Sequence, residues 1–113
     1  MDRISCIEWY GNVIYTGSKD RKLRAVDCRS GDPSAVFPQD HFQEICGVKT
    51  YSNYLATGGN DNWVYIYDLR KTSQFMSHYS HEAAVKALDW VIPNTLVSGG
   101  GNGDRKIKFW KDG

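Results

Sequence analysis

The chain has 113 residues, of which 41% are hydrophobic, enough by length for one small globular unit. Its 14 basic and 13 acidic residues leave a formal net charge of +1. That balance excludes the electrostatic footprint of a nucleic-acid binder or of a binder of acidic membranes, and no apolar run is long enough to cross a bilayer.

Taken in order, the residues predict short strands. Ile4 to Trp9 reads as the first, Gly11-Asn12 as a turn, Val13 to Gly17 as the second strand and Leu23 to Val26 as the third. Cys28 to Ser34, with Gly31, Asp32 and Pro33, is a connection, and Ala35 to Phe37 is a weak outer strand spoiled by Pro38. A second set follows at Ile45 to Thr50, Tyr54 to Thr57, Trp63 to Tyr67 and Gln74 to Ser77. A third follows at Val85 to Trp90, Thr95 to Ser98 and Ile107 to Trp110. The run HEAAVKALDW, His81 to Trp90, contains residues that favour helix, but the register of the repeat described below assigns a strand there. The aromatic share of 13% suits a β protein with large interlocking side chains. Three cysteines (Cys6, Cys28, Cys46), odd in number and not closely spaced, point to a reduced intracellular compartment. The opening MDRISCIEW lacks the basic region and apolar core of a signal peptide.

The chain is organised around LATGGNDNWVYIYD, Leu55 to Asp68. Gly58 and Gly59 are expected to supply the positive φ of a tight hairpin, with the Asn and Asp that follow tolerating left-handed geometry. Trp63, Tyr65 and Tyr67 alternate with Val64, Ile66 and Asp68, so both faces of this strand are largely apolar or aromatic. It predicts a strand covered on both sides.

The same phrase recurs. TGSKDRKLRAVD runs from Thr16, TGGNDNWVYIYD from Thr57 and SGGGNGDRKIKFWK from Ser98, each start 41 residues after the last. A His precedes the second and third copies, His41 and His81, 40 residues apart. A repeat of this length, with an upstream His and an aromatic-Asp or similar pair at its end, resembles the WD-repeat propeller over nearly the whole chain. The fold expected from it is all-β, an open arc of about three antiparallel blades, at roughly residues 1–40, 41–80 and 81–113. The last blade is expected to be incomplete, as in a stretch from the middle of a longer propeller or a truncated relative. Propellers close with typically four to eight blades, so uncovered blade faces would drive self-association.

In WD-repeat proteins a His, a Ser or Thr, an Asp and a Trp form a hydrogen-bonded set inside each blade. The third unit matches at His81, Ser98, Asp104 and Trp110, and the second at His41, Thr57 and Asp61 with Tyr67 at the Trp place. The first keeps Thr16 and Asp20, with Val26 at the Trp place. A buried His needs a carboxylate, and a buried hydroxyl and indole need partners. The rival is a catalytic triad. The set recurs in two blades, whereas an active site is assembled once, and no Gly-x-Ser-x-Gly elbow is present. No enzyme activity is expected. Gly99 to Gly103 resembles a phosphate-cradling loop but leads into a strand rather than a helix, so it reads as a widened hairpin turn. The histidines and cysteines lack zinc-ligand spacing, and no metal or cofactor is expected. Lys19, Arg21, Lys22 and Arg24 read as a solvated basic turn, His78 as part of a solvated outer strand, and Trp9 and Trp90 as blade-packing residues.

Three phrases narrow the resemblance: HFQEICGVK (His41 to Lys49), LATGGNDNWVYIYDLR (Leu55 to Arg70), and AAVKALDW followed by LVSGGGNGDRKIKFW. They are similar to the fizzy family of WD-repeat activators of the anaphase-promoting complex, and would correspond to roughly the third to fifth of seven blades. The resemblance implies a protein that captures degrons, the KEN box and destruction box, on substrates of that ubiquitin ligase. It implies protein partners, namely degron-bearing substrates and ligase subunits, and a place in nucleus and cytoplasm. For the KEN box it implies two asparagines of the Gly-Gly-Asn-Asp-Asn turn, Asn60 and Asn62. Asn102 stands where the family has a Thr; it keeps a hydrogen-bonding side chain of different shape. The destruction-box groove and the family's ligase-docking segments fall outside the matching stretch. A WD-repeat scaffold for another partner, or a non-functional truncated paralogue, remains the alternative.

Overall fold

A computed structural model describes residues 3–31, 33–37, 40–71, 74–91 and 94–111. Pro38 and the Asp112-Gly113 end lie outside the described residues. The described chain is all strand and turn. The strands are β1 (Ile4–Tyr10), β2 (Val13–Ser18), β3 (Leu23–Asp27), β4 (Pro33–Val36), β5 (Ile45–Tyr51), β6 (Tyr54–Gly59), β7 (Trp63–Asp68), β8 (Ser77–Ser80), β9 (Val85–Val91), β10 (Thr95–Gly100) and β11 (Ile107–Lys111). They form three antiparallel meanders, β1-β2-β3-β4, β5-β6-β7-β8 and β9-β10-β11, with β1 packed on β5 and β5 on β9. This is the propeller-blade arrangement that the repeat predicts, and His81 to Trp90 leads into β9 rather than a helix.

Two outer strands are displaced from their expected places. The fourth strand of the second sheet is Ser77–Ser80, not Gln74 to Ser77, and that of the first is Pro33–Val36, not Ala35 to Phe37. An outer strand is chosen by the free edge it pairs with. Tyr65 on β7 faces His78, and Trp63 faces Ser80, a pairing that the polar run Ser-His-Tyr-Ser does not announce by itself.

The middle sheet is covered on both sides, as the alternation in β7 requires. Leu55, Tyr65 and Tyr67 join Tyr15, Leu23, Ala25, Phe37, Ile45 and Val48 between the first and second sheets. Ala56, Val64 and Ile66 join Val85, Leu88 and Leu96 between the second and third. Phe37 sits edge-on to both Tyr15 and Tyr67. Burying one such aliphatic or aromatic side chain contributes roughly 1.5–3 kcal/mol.

The turn glycines act differently from the sequence expectation. Positive φ falls on Arg21, Asn62 and Arg105 in the three β-hairpins that carry the repeated phrase, and not on Gly58 or Gly59. Gly58 is there for close approach: a Cβ on it would stand 2.6 Å from Val85 Cγ1. Its counterpart Gly17 would meet Ile45 Cγ2 at 2.6 Å. In each case the missing side chain admits the first residue of the next sheet.

Candidate functional site

The repeated polar residues converge at the same corner of two sheets. The loop from β4 into β5 carries His41, β6 carries Thr57 and the β6–β7 turn carries Asp61. His41 Nδ1 lies 3.0 Å from Asp61 Oδ1, and its Nε2 lies 2.7 Å from Thr57 Oγ1. In the third sheet His81 Nδ1 lies 2.5 Å from Asp104 Oδ2, and its Nε2 2.8 Å from Ser98 Oγ. A carboxylate only accepts, so in the neutral imidazole Nδ1 carries the proton and Nε2 accepts from the hydroxyl. Gly59 makes room for this: a Cβ there would stand 2.5 Å from His41 Nδ1 and 2.6 Å from Asp61 Oδ1. Gly100 has the same relation to Asp104.

Both carboxylates also accept main-chain N–H groups. Asp61 takes those of Phe42 at 2.7 Å and Trp63 at 3.2 Å, and Asp104 that of Glu82 at 3.2 Å. Burial opposes ionisation of each, and the bonds from the His and the amides outweigh it, holding both carboxyls below their usual range.

The aromatic members of the expected sets behave otherwise. Trp110 does not reach Ser98. Its indole N–H donates to Ser77 Oγ at 3.0 Å, and the Tyr79 hydroxyl, 2.6 Å from Ser98 Oγ, takes the place expected for the indole. Both partners come from β8, whose location the sequence reading had shifted. The Tyr67 hydroxyl donates to Asp40 Oδ2 at 2.7 Å and also engages Thr57; burial and the Asp40 carboxylate push it up.

In the first sheet Thr16 and Asp20 do not pair. Arg24 supplies what His supplies elsewhere: its Nη2 donates to Asp20 Oδ2 at 2.6 Å and its Nη1 to Ser18 Oγ at 3.2 Å. The hydrogen bonds from Arg24, joined by those of Ser18 and the Lys22 N–H, hold the Asp20 carboxyl far below its usual range. Ser18 stands where the other sheets have Gly59 and Gly100, because no imidazole needs that space. Arg24 is therefore a half-buried structural cation rather than part of a solvated turn; Lys19, Arg21 and Lys22 are near the surface.

The triads are not a hydrolase centre. Thr57 is 0% exposed and Ser98 1%, so no substrate reaches either hydroxyl. Among the described residues no group of three or more His, Cys, Asp or Glu is arranged to hold a metal ion. His78 is exposed on β8, tilted against Trp63 and edge-on to Phe75. Trp90 stacks on Tyr51 and Tyr54 and donates to the Lys49 carbonyl at 3.0 Å, bridging the second and third sheets. Trp9 is 67% exposed on the open side of the first sheet.

The three asparagines singled out in the sequence lie in the turns at this corner, Asn60 and Asn62 half-buried. With Asp61 turned inward, Asn60 and Asn62 flank it in one turn. The Asn60 N–H donates to the Glu44 carbonyl at 2.9 Å, and the Asn62 carbonyl accepts the His81 N–H at 2.8 Å. Asn62 adopts φ 77°, a conformation Asn tolerates. Asn102 is exposed in the β10–β11 turn, the corresponding position of the next sheet. The Asn62 and Asn102 carboxamides make no hydrogen bond with another described residue. A contact that sequence reading did not foresee lies beneath: Cys46 Sγ is 3.0 Å from Asn60 Oδ1. Nothing in the sequence pattern hints at it, because β5 is bulged between Ile45 and Gly47 and Cys46 falls outside the regular alternation.

Three antiparallel meanders with a buried His-Asp-hydroxyl set at the same corner of two of them define a repeat protein of the propeller type. The chain belongs to the WD domain, G-beta repeat family, whose description matches residues 31–68 and 72–111. Within that family its similarity is to fizzy-type activators. It is 39% identical over 114 residues to the APC/C activator protein CDH1 of Saccharomyces cerevisiae, covering 97% of this chain and 20% of that protein. It is 40% identical over 112 residues to the APC/C activator protein CDC20 of the same yeast, covering 96% of this chain and 18% of that one. Among solved structures it superposes on a chain of the mitotic checkpoint complex crystal structure with a TM-score of 0.90 and 36% identity, over 96% of this chain and 35% of that one. The chain thus spans about a fifth of the length of the curated relatives it matches.

Proposed function

We propose that this chain carries the peptide-reading rim of a fizzy-type activator of the anaphase-promoting complex, and that the rim binds extended peptides of the KEN type through Asn60, Asn62 and Asn102. It acts by binding, not turnover, bringing degron-bearing partners to ligase subunits, in the nucleus and cytoplasm. One observation supports the reading: Asp61 turns inward onto His41, and the half-buried Asn60 and Asn62 flank it in the same turn. Carboxamides offer donors and acceptors together, which suits a peptide with Lys, Glu and Asn side chains and free main-chain groups. The names of the relatives, APC/C activator proteins, supply the context.

The test is titration of a synthetic Lys-Glu-Asn peptide and a scrambled control, followed by NMR, against the wild type and Asn60→Ala/Asn62→Ala, with folding checked by circular dichroism. Weak, sequence-dependent binding that the double variant abolishes is expected. Absence of binding by the wild type, or equal binding by a folded double variant, refutes the reading and leaves a WD-repeat scaffold for another partner.

A further inference from the structure

Each joint between neighbouring sheets has two halves. One sheet offers a glycine on its second strand and two apolar residues on its third: Gly17 with Leu23 and Ala25, then Gly58 with Val64 and Ile66. The next sheet offers its first strand, with Ile45 and Val48 in one joint and Val85 and Leu88 in the other, each 9% exposed or less.

The chain carries one open half of this joint at each end. On the third sheet Gly99 faces Ile107 and Val97 faces Phe109, the register of Gly58 with Val64 and of Ala56 with Ile66. Ile107 and Phe109 are each 68% exposed, whereas Val64 and Ile66 are 0%. On the first sheet Ile4 and Ile7 stand opposite Ser18 and Thr16, as Val85 and Leu88 stand opposite Gly100 and Ser98. They are 43% and 62% exposed. A Cβ on Gly58 would strike Val85 at 2.6 Å, while one on Gly99 would meet nothing nearer than Ala87 at 3.8 Å. The third sheet thus presents a socket, and the first sheet presents the kind of side chain that fills such sockets elsewhere.

The indoles extend the match. Trp9 and Trp90 hold the same register position, opposite Ile14 and Leu96. Trp90 reaches the preceding sheet, donates to the Lys49 carbonyl at 3.0 Å and stacks on Tyr51. Trp9 folds back on its own turn and donates to the Gly11 carbonyl at 2.8 Å. On the third sheet Asp89 holds the register of Lys49, and Val91, 46% exposed, holds that of Tyr51.

We propose that the first sheet of one chain docks on the third sheet of a second copy, with Ile4 over Gly99 and the Trp9 indole donating to the Asp89 carbonyl. The contact is head-to-tail, so each copy has both halves to offer, and such contacts either close into rings or run on as filaments. Two copies bring together six sheets, three from each. Propellers typically close with four to eight blades, so two copies fall inside that range and three fall outside it. The assembly is a closed pair with two identical joints. It does not depend on the peptide-binding reading above.

Sedimentation and native mass spectrometry of the 113-residue chain test this. The wild type is expected to pair and to stop at two chains. The emission of Trp9, read as the difference between wild type and Trp9→Phe, should move to the blue as pairing proceeds. Ile7→Asp and Phe109→Asp damage opposite halves of the joint at exposed positions. Each variant, with folding checked by circular dichroism, should be monomeric alone, and an equimolar mixture should pair through the one joint whose halves are both intact. Gly99→Ala should weaken pairing by about tenfold, the effect of a methyl forced into a packed contact, and leave the melting temperature of the diluted monomer unchanged. A wild type that stays monomeric at high concentration, pairing by either Asp variant alone, or a folded mixture that stays monomeric overturns the head-to-tail contact. Masses beyond two chains overturn the closed pair. A Gly99→Ala variant that pairs as wild type overturns the placing of Ile4 over Gly99.

Discussion

At the scale of single residues, Asp61 joins the fold to the proposed rim: the carboxylate that anchors His41 stands between Asn60 and Asn62 in the β6–β7 turn. Asp61→Ala removes the acceptor of the buried His41 imidazole and of the Phe42 N–H. Leaving such groups unsatisfied should cost about 1–3 kcal/mol, whereas Lys22→Ala, on an exposed residue, should stay within about 0.5 kcal/mol. Chemical denaturation of the two variants measures this. The same group sets an acid limit. The carboxyls of Asp61 and Asp104 are lowered in the folded state, so their contribution is complete above the unfolded carboxylate value, about 3.9, and is lost as pH falls below it through the folded values. The melting temperature should fall below about pH 4, and less steeply in Asp61→Ala. The partnership of His41, Thr57 and Asp61 was legible because all three recur in the same order in the next copy, as His81, Ser98 and Asp104. The cation at Arg24 was not, because a guanidinium four residues after an Asp in a hairpin looks the same on paper whether it is solvated or folded over its own turn.

Elements meet through the second strand of one sheet and the first of the next. Gly17 on β2, Gly58 on β6 and Gly99 on β10 occupy the same register position, opposite Leu23, Val64 and Ile107. The first two admit Ile45 and Val85, whereas a Cβ on Gly99 would meet nothing nearer than Ala87 at 3.8 Å. Gly58→Ala should therefore destabilise by overpacking, about 1–3 kcal/mol, while Gly99→Ala avoids that clash. Equal losses from the two, read by thermal unfolding, would contradict a joint made by close approach. The hairpins themselves were visible from alternation and turn residues, but the purpose of their glycines was not. Turn chemistry and close packing both select Gly, and only the neighbouring sheet distinguishes them. The outer strands were the least legible elements, since β8 carries little apolar pattern and is fixed by the edge of β7 and by the partners it lends to Ser98 and Trp110.

For the molecule as a whole, apolar surface is concentrated at the two ends of the arc. Ile7 is 62% and Trp9 67% exposed on the first sheet, and Ile107 and Phe109 are each 68% exposed on the third. Patches of this kind drive association. Sedimentation of the 113-residue chain should show a mass that rises with concentration, and Trp9→Ser combined with Phe109→Ser should reduce it. A strictly monomeric wild type at high concentration would contradict this.

The aromatic cluster between the second and third sheets has an optical consequence. Trp90 and Trp110 stand 6.1 Å apart with their ring planes at 85°, and Tyr54 lies between 5.6 and 6.0 Å from each. Chromophores so close couple with one another, and the sign and strength of their circular dichroism depend on their mutual orientation. Trp9, at the opposite end and largely in water, emits as an isolated indole. The Trp90–Trp110 pair thus reports on the contact between the last two sheets, Trp63, stacked on Tyr65, on the second sheet, and Trp9 on whatever covers the first.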